Sequence, residues 1–290
     1  MLLLAGPCRP TPIRRCRARG HDDEDHRYND ADDANGPRHV AHPDRRAVVY
    51  DLPVAVDFDL ALGGMSFPFR WFNDYNARVG LLPRTATSEA DIIWCEIDPC
   101  FAFHPLNAYD APDGSVIVDI CEYDRMFDQD RFGPFRESSP RLSRWTIDPK
   151  ARRVSRQTID ERAQEFPRIA GSVSNKQHRY GYTAGILDNG EVGFDSTYKH
   201  DLLAGTAQRY DHGPGRQPGE PVFVSRAGAT DEDDGWLMVV VYDGETNRSD
   251  LVLLDAVDIT REVARIALPT RVPTGFHGNW VRDAVTPPPA

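Results

Sequence analysis

No apolar run in the sequence is long enough to cross a bilayer. Cysteines are few, positive charge is in deficit, and no long helical periodicity appears. A membrane-spanning helix needs about 20 consecutive apolar residues, and nothing in the 290 residues approaches that. The opening run Met1-Leu2-Leu3-Leu4-Ala5 falls short of the roughly 7–15 apolar residues of a signal-peptide core. Neither a transmembrane segment nor a signal peptide is read, although a monotopic patch leaves little trace in a sequence and peripheral membrane contact stays open. The five cysteines, Cys8, Cys16, Cys95, Cys100 and Cys121, are odd in number and contain no CxxC pair. They make neither a disulfide framework nor a zinc ribbon, and they imply a reducing, cytoplasmic compartment. With 34 Lys and Arg against 45 Asp and Glu, the formal net charge is -11, which argues against a nucleic-acid partner. An HExxH motif is also missing, which disfavours a zinc hydrolase.

What is present divides in two. Residues 1–46 set a basic run, Arg14-Arg15-Cys16-Arg17-Ala18-Arg19, against an acidic one, Asp22-Asp23-Glu24-Asp25, with almost no apolar residue between. Such a stretch buries too little to offset the entropy of ordering, so a disordered leader is expected. Its abrupt end reads as an aberrant gene start. Residues 47–290 are expected to form one domain. Short β-branched runs recur there, including Ala47-Val48-Val49-Tyr50, Ser115-Val116-Ile117-Val118, Leu237-Met238-Val239-Val240-Val241 and Leu251-Val252-Leu253-Leu254, each bounded by Asp, Gly, Pro or Asn. Several leave through an aspartate into a tight connection, as at Asp148-Pro149-Lys150 and Asp201-Leu202-Leu203-Ala204-Gly205, which is hairpin punctuation. The pattern predicts an all-β fold, a propeller in preference to a pair of sandwiches.

Two histidines stand out. His104 lies in Cys100-Phe101-Ala102-Phe103-His104-Pro105-Leu106-Asn107, between an apolar run and a turn cluster. His277 lies in Gly275-Phe276-His277-Gly278-Asn279-Trp280, again after a Phe and before small residues. Each reads as a ring held at the end of a strand, a suitable place for a metal ligand and also for an ordinary packed imidazole.

These two stretches resemble the carotenoid cleavage oxygenases, the family that includes apocarotenoid and lignostilbene dioxygenases and the retinal pigment epithelium isomerase. Further segments carry the resemblance from about Ala47 to Val281: Val48-Val49-Tyr50-Asp51-Leu52-Pro53, Pro68-Phe69-Arg70-Trp71, Glu165-Phe166-Pro167-Arg168-Ile169, His178-Arg179-Tyr180-Gly181-Tyr182 and Glu232-Asp233-Asp234-Gly235-Trp236. The resemblance implies a seven-bladed β-propeller, present here in part, with Fe(2+) held on its central axis by four histidines. Imidazole donors suit such a metal. Two of the four fall on His104 and His277. The family's His-Asp-Phe-Ala motif is absent before Val48, and His39, one position from the expected place, is the candidate third ligand. Glu165 and Glu232 fall where the family places carboxylates that orient metal-bound rings. Asp110, Asp119 and Asp124 read as hairpin or surface carboxylates. The implied partners are O2 and a hydrophobic conjugated substrate, a carotenoid, apocarotenoid or stilbene cleaved to two carbonyl products. Phe103, Phe276, Trp280 and Trp71 are candidates to line its tunnel. A catalytically inactive propeller with an incomplete metal site is the alternative.

Overall fold

A computed structural model describes residues 40–41, 45–131, 133–134, 136–187 and 192–281. The expected disorder of the leader therefore lies, for residues 1–39, outside the described residues, as does His39. The first described strand, β1 (Val40–Ala41), already belongs to the fold. It pairs antiparallel with β2 (Arg46–Asp51), so the structured region begins inside the segment read as leader.

The chain then runs through β3 (Val54–Val56), a five-residue helix α1 (Phe58–Leu62), β4 (Phe69–Trp71), β5 (Arg78–Pro83) and β6 (Ile93–Glu96). The order β1-β2-β5-β6 makes a first four-stranded antiparallel unit, with β3 and β4 paired as a separate ribbon. A second unit is the meander β7 (Phe101–Asp110), β8 (Val116–Tyr123), β9 (Arg141–Asp148) and β10 (Arg153–Asp160). One parallel pairing, Arg153 opposite Glu96, joins it to the first. A third comprises β11 (Gln164–Arg168), β12 (Tyr180–Ile186), β13 (Phe194–Asp201) and β14 (Thr206–Asp211). In the fourth, β15 (Arg216–Pro218) and β16 (Val222–Ser225) together form the edge beside β17 (Gly235–Asp243), β18 (Arg248–Asp255) and β19 (Glu262–Ala267). Four successive four-stranded antiparallel units are propeller architecture, and the described residues hold four of them.

The hairpin punctuation has one physical basis. Asp148, Asp201 and Asp243 each end a strand, and one carboxylate oxygen of each accepts the N–H groups two and three residues on: Lys150 and Ala151, Leu203 and Ala204, Glu245 and Thr246. The fourth residue after each aspartate, Arg152, Gly205 or Asn247, has positive φ, at 53°, 66° and 53°. The aspartate thus folds its own turn, and a left-handed residue returns the chain to the sheet.

Between the units lie the cores. Val48, Val79, Leu81, Val118, Ile120, Trp145 and Ile147 pack the first sheet on the second. Leu106, Cys121 and Leu142 meet Ile169 and Leu202 between the second and third. Tyr182, Leu237, Val239, Val252, Leu254 and Ile259 join the third to the fourth. Contact is close enough that a Cβ on Gly181 would come within 2.7 Å of Leu106. Asp119, expected at a hairpin or surface, is fully buried instead: Arg144 binds it through two nitrogens at 2.7 and 2.8 Å, and His178 lies 3.2 Å away. Burial alone would raise its pKa, but these partners outweigh that and hold the carboxyl below its usual range. Trp71, a tunnel candidate, is a core residue with Val54, Tyr123 and Met126.

Two further histidines are buried neutral. His200 shares a hydrogen bond with the Thr183 hydroxyl at 3.2 Å, and His212 with that of Thr197 at 2.9 Å. Desolvation pushes each pKa down to about 4. Because the folded value lies below the ordinary one, the unfolded chain takes up the proton first as pH falls. Their stabilisation is complete above about pH 6.5 and is lost progressively down to about pH 4, on the order of 3 kcal/mol for each ring. Denaturant unfolding followed across that window is expected to show this loss, and His200→Gln with His212→Gln is expected to flatten it. An unchanged slope in the double variant would contradict the assignment.

Candidate metal centre

The edge strands of three successive units, β7, β11 and β15/β16, converge, and each carries one residue too many at the point of convergence. On β7, Ala102 faces Glu122 and Pro105 faces Ile120, so Phe103 and His104 together oppose Cys121. On β11, Glu165 faces Ala184 and Arg168 faces Tyr182, so Phe166 and Pro167 oppose Thr183. Between Pro218 opposite Val241 and Val222 opposite Met238, Gly219, Glu220 and Pro221 stand against two residues of β17. A bulge bends its strand and re-aims the side chain it carries. Each of these bulges contains or is followed by a proline, tolerated because edge strands and bulges have ladder positions that need no N–H donor.

Two of the residues in these breaks, His104 and Glu220, pair with Glu165, just before the break in β11, and with His277, on the segment after β19, to form two imidazole–carboxylate pairs. His104 Nδ1 lies 2.7 Å from Glu165 Oε2, and His277 Nδ1 lies 3.3 Å from Glu220 Oε1. An ionised carboxylate only accepts, so each ring donates from Nδ1 and, in its neutral form, presents its Nε2 lone pair elsewhere. The two rings face each other edge to face, with centroids 4.9 Å apart and planes at 85°. Phe166 lies against both, 5.6 Å from His104 and 5.7 Å from His277, and its backbone is left-handed at φ 53°.

Each glutamate is buried and held by more than its ring. Glu165 also accepts from the Tyr123 hydroxyl at 3.1 Å and from the Phe166 N–H at 2.7 Å. Burial and the adjacent Glu165 push the Tyr123 pKa far above its ordinary value, which keeps the phenol a donor. Glu220 accepts from the Gly278 N–H at 3.1 Å, and Arg168 Nη1 lies 3.3 Å from it.

His104, His277 and Glu165 are therefore brought together, whereas Glu232 is not. Its carboxylate accepts the backbone N–H groups of Arg179 and Tyr180 at 2.7–3.0 Å, well placed to cap the start of β12. The partner of the second ring is Glu220, which the sequence reading passed over. A signal existed, since Gly219-Glu220-Pro221 repeats the site-residue-near-proline pattern of His104-Pro105 and Glu165-Phe166-Pro167. Phe103 packs with Phe101, Tyr123 and Phe127 beside His104, while Phe276 and Trp280 are exposed at 77% and 49%. Among the described residues, no third His, Cys, Asp or Glu joins the two rings in a potential ligand cluster.

β7 and the segment after β19 thus bring two carboxylate-held histidines together, and comparison with known proteins supplies the family. Residues 39–282 match the family model RPE65, retinal pigment epithelial membrane protein. The chain belongs to this family, that of the carotenoid cleavage oxygenases. It is 41% identical over 221 residues to a carotenoid cleavage oxygenase of Mycobacterium tuberculosis and 34% identical over 217 residues to the apocarotenoid-15,15'-oxygenase of Synechocystis. Those alignments cover 73% and 72% of this chain and 44% of each relative, so the chain spans less than half their length. Cobalt-substituted Synechocystis apocarotenoid oxygenase superposes with a TM-score of 0.75 at 30% identity, covering 84% of this chain and 52% of the other. Among the described residues no helix is long and apolar enough to cross a membrane.

The carboxylate pairing fixes the tautomer of both rings. Nitrogen NMR of the metal-free chain is expected to place the proton of His104 and His277 on Nδ1, and Glu165→Leu is expected to return His104 to the Nε2–H form that predominates in free histidine. Nε2–H rings in the unaltered chain would contradict the geometry.

Proposed function

We propose that the chain carries the catalytic centre of a non-haem Fe(2+) dioxygenase that cleaves a carbon–carbon double bond of a carotenoid, apocarotenoid or stilbene-type substrate. The observation that supports this reading most directly is the facing pair His104 and His277, each held through Nδ1 by a buried glutamate. Neutral imidazoles with free Nε2 lone pairs and carboxylate partners behind them are the donors a borderline divalent metal takes. Nε2 of His104 and of His277 would hold the metal, with His39 the candidate for a third position. When bound, iron supplies the redox chemistry by which O2 splits one double bond into two carbonyl products, one oxygen atom to each.

The chain's own residues contribute position and exclusion. Glu165 and Glu220 keep both rings from rotating and leave the ligand set neutral, so the charge of the metal is not cancelled. Phe166 and Phe103 give the approach to the rings an apolar, water-poor wall that suits a conjugated hydrocarbon. No proton transfer between side chains is required. By the same reading, a membrane-dissolved or protein-delivered hydrocarbon is the natural source of substrate.

A second reading is a propeller that binds metal weakly and turns nothing over, favoured by the lack of a third ligand beside the pair among the described residues. Iron content and oxygen consumption of the purified chain, assayed with an apocarotenoid and with a hydroxystilbene, separate the two. Stoichiometric iron with oxygen uptake and carbonyl products supports the dioxygenase. Substoichiometric iron without uptake supports the second reading. With activity present, His104→Ala is expected to abolish it, and Glu165→Gln to lower iron affinity about 10- to 100-fold.

A further inference from the structure

His277 differs from His104 in what carries it. His104 sits inside a ten-residue strand, fixed by the ladder between β7 and β8, whereas His277 lies on an irregular segment that follows β19 and contains no strand. The near end of that segment is tethered by the Leu268 and Val272 N–H groups, which donate to the backbone and side chain of Ser249 at 2.9 and 3.0 Å. At the far end the contacts gather on Arg168. Its Nη1 lies 3.3 Å from Glu220 and donates to the Gly278 carbonyl at 3.4 Å, while its Nη2 donates to Asn279 Oδ1 at 3.2 Å. Its side chain is 12% exposed and that of Glu220 3%, so the pair is largely withdrawn from solvent screening.

We infer that Arg168 is a positioning residue for His277: its planar fork clamps Glu220 and the residues just beyond the ring into one unit. The inference rests on the metal-centre reading above for its functional meaning, and on the geometry alone for the clamp. The same short strand that places Glu165 behind His104 places Arg168, three residues later and past the bulge, behind the partner of His277. β11 therefore orients both rings, one directly and one through Glu220. A guanidinium suits the task, because its donors are spread in one plane and reach a carboxylate, a carbonyl and an amide oxygen together. A lysine ammonium could satisfy the charge without the spread. With Arg168 replaced by a neutral side chain, Glu220 stays buried without this counter-charge, and the segment loses contacts that offset the entropy of its own loop.

The test reads the segment and the metal separately in the full chain, with Arg168→Gln, the milder Arg168→Lys and the unaltered protein. Amide hydrogen exchange at Gly278 is expected to rise about tenfold in Arg168→Gln, the least expected when an N–H loses its hold on a charged acceptor, while amides of β12 and β13 keep their protection. Cobalt(2+), titrated by its visible absorption, is expected to bind about 10- to 100-fold more weakly to Arg168→Gln, with Arg168→Lys between. Unchanged exchange at Gly278 in Arg168→Gln, or a loosened segment with unchanged cobalt affinity, overturns the inference. Should Arg168→Gln fail to fold, Arg168→Lys decides by the same two readouts. If the unaltered chain binds no cobalt, the metal-centre reading fails, and the Gly278 exchange still decides the clamp.

Discussion

Everything at the centre of this protein depends on two buried carboxylates that must be satisfied where they lie. A carboxylate removed from water is costly unless donors surround it. Glu165 is met by the His104 ring, the Tyr123 hydroxyl and the Phe166 N–H; Glu220 is met by the His277 ring, the Gly278 N–H and Arg168. Meeting that demand turns each imidazole so that Nδ1 faces its carboxylate, which leaves Nε2 directed away from it. The orientation on which the proposed metal site relies is thus a consequence of satisfying two buried carboxylates.

A regular ladder cannot place those groups. With a period of two, side chains on an edge strand alternate between faces, and a residue aimed along the sheet edge needs a local break in register. Three neighbouring edges supply such breaks, at Phe103–His104 with a second at Leu106 on β7, at Phe166–Pro167 and at Gly219–Pro221. The cost falls on the backbone, visible in the left-handed Phe166, and it is borne because hydrophobic cores between successive sheets hold the edges together regardless. Outer hairpins closed by self-sufficient aspartate turns need nothing from the centre. Framework and site are therefore nearly independent, and the bulges are where they meet.

This division explains what could be read from the residues beforehand. Strands such as 116–123 and 237–242 announce themselves by β-branched content, and turns such as Asp201-to-Gly205 by local chemistry, so the all-β character was plain. His104, His277 and Glu165 were visible through their resemblance to a known family. Glu232 is expected from the same resemblance, whereas Glu220, one more acidic residue near a turn signal, is not singled out. Only the three-dimensional edge, where β15 gives way to β16, tells one from the other: Glu220 meets a ring, and Glu232 meets two backbone amides. Asp119 reads as a hairpin or surface carboxylate for the same reason, since the alternation of β8 gives no sign that Arg144 on β9 and His178 just before β12 converge on it. Long-range pairing of charges is the part of a fold that periodicity does not encode.

The most direct measurement is anomalous diffraction from crystals of this chain soaked in cobalt(2+). The paired-carboxylate arrangement predicts one peak bonded to Nε2 of both His104 and His277, with the Nδ1 contacts to Glu165 and Glu220 intact. A metal bound through Nδ1, or bound away from the two rings altogether, would contradict it.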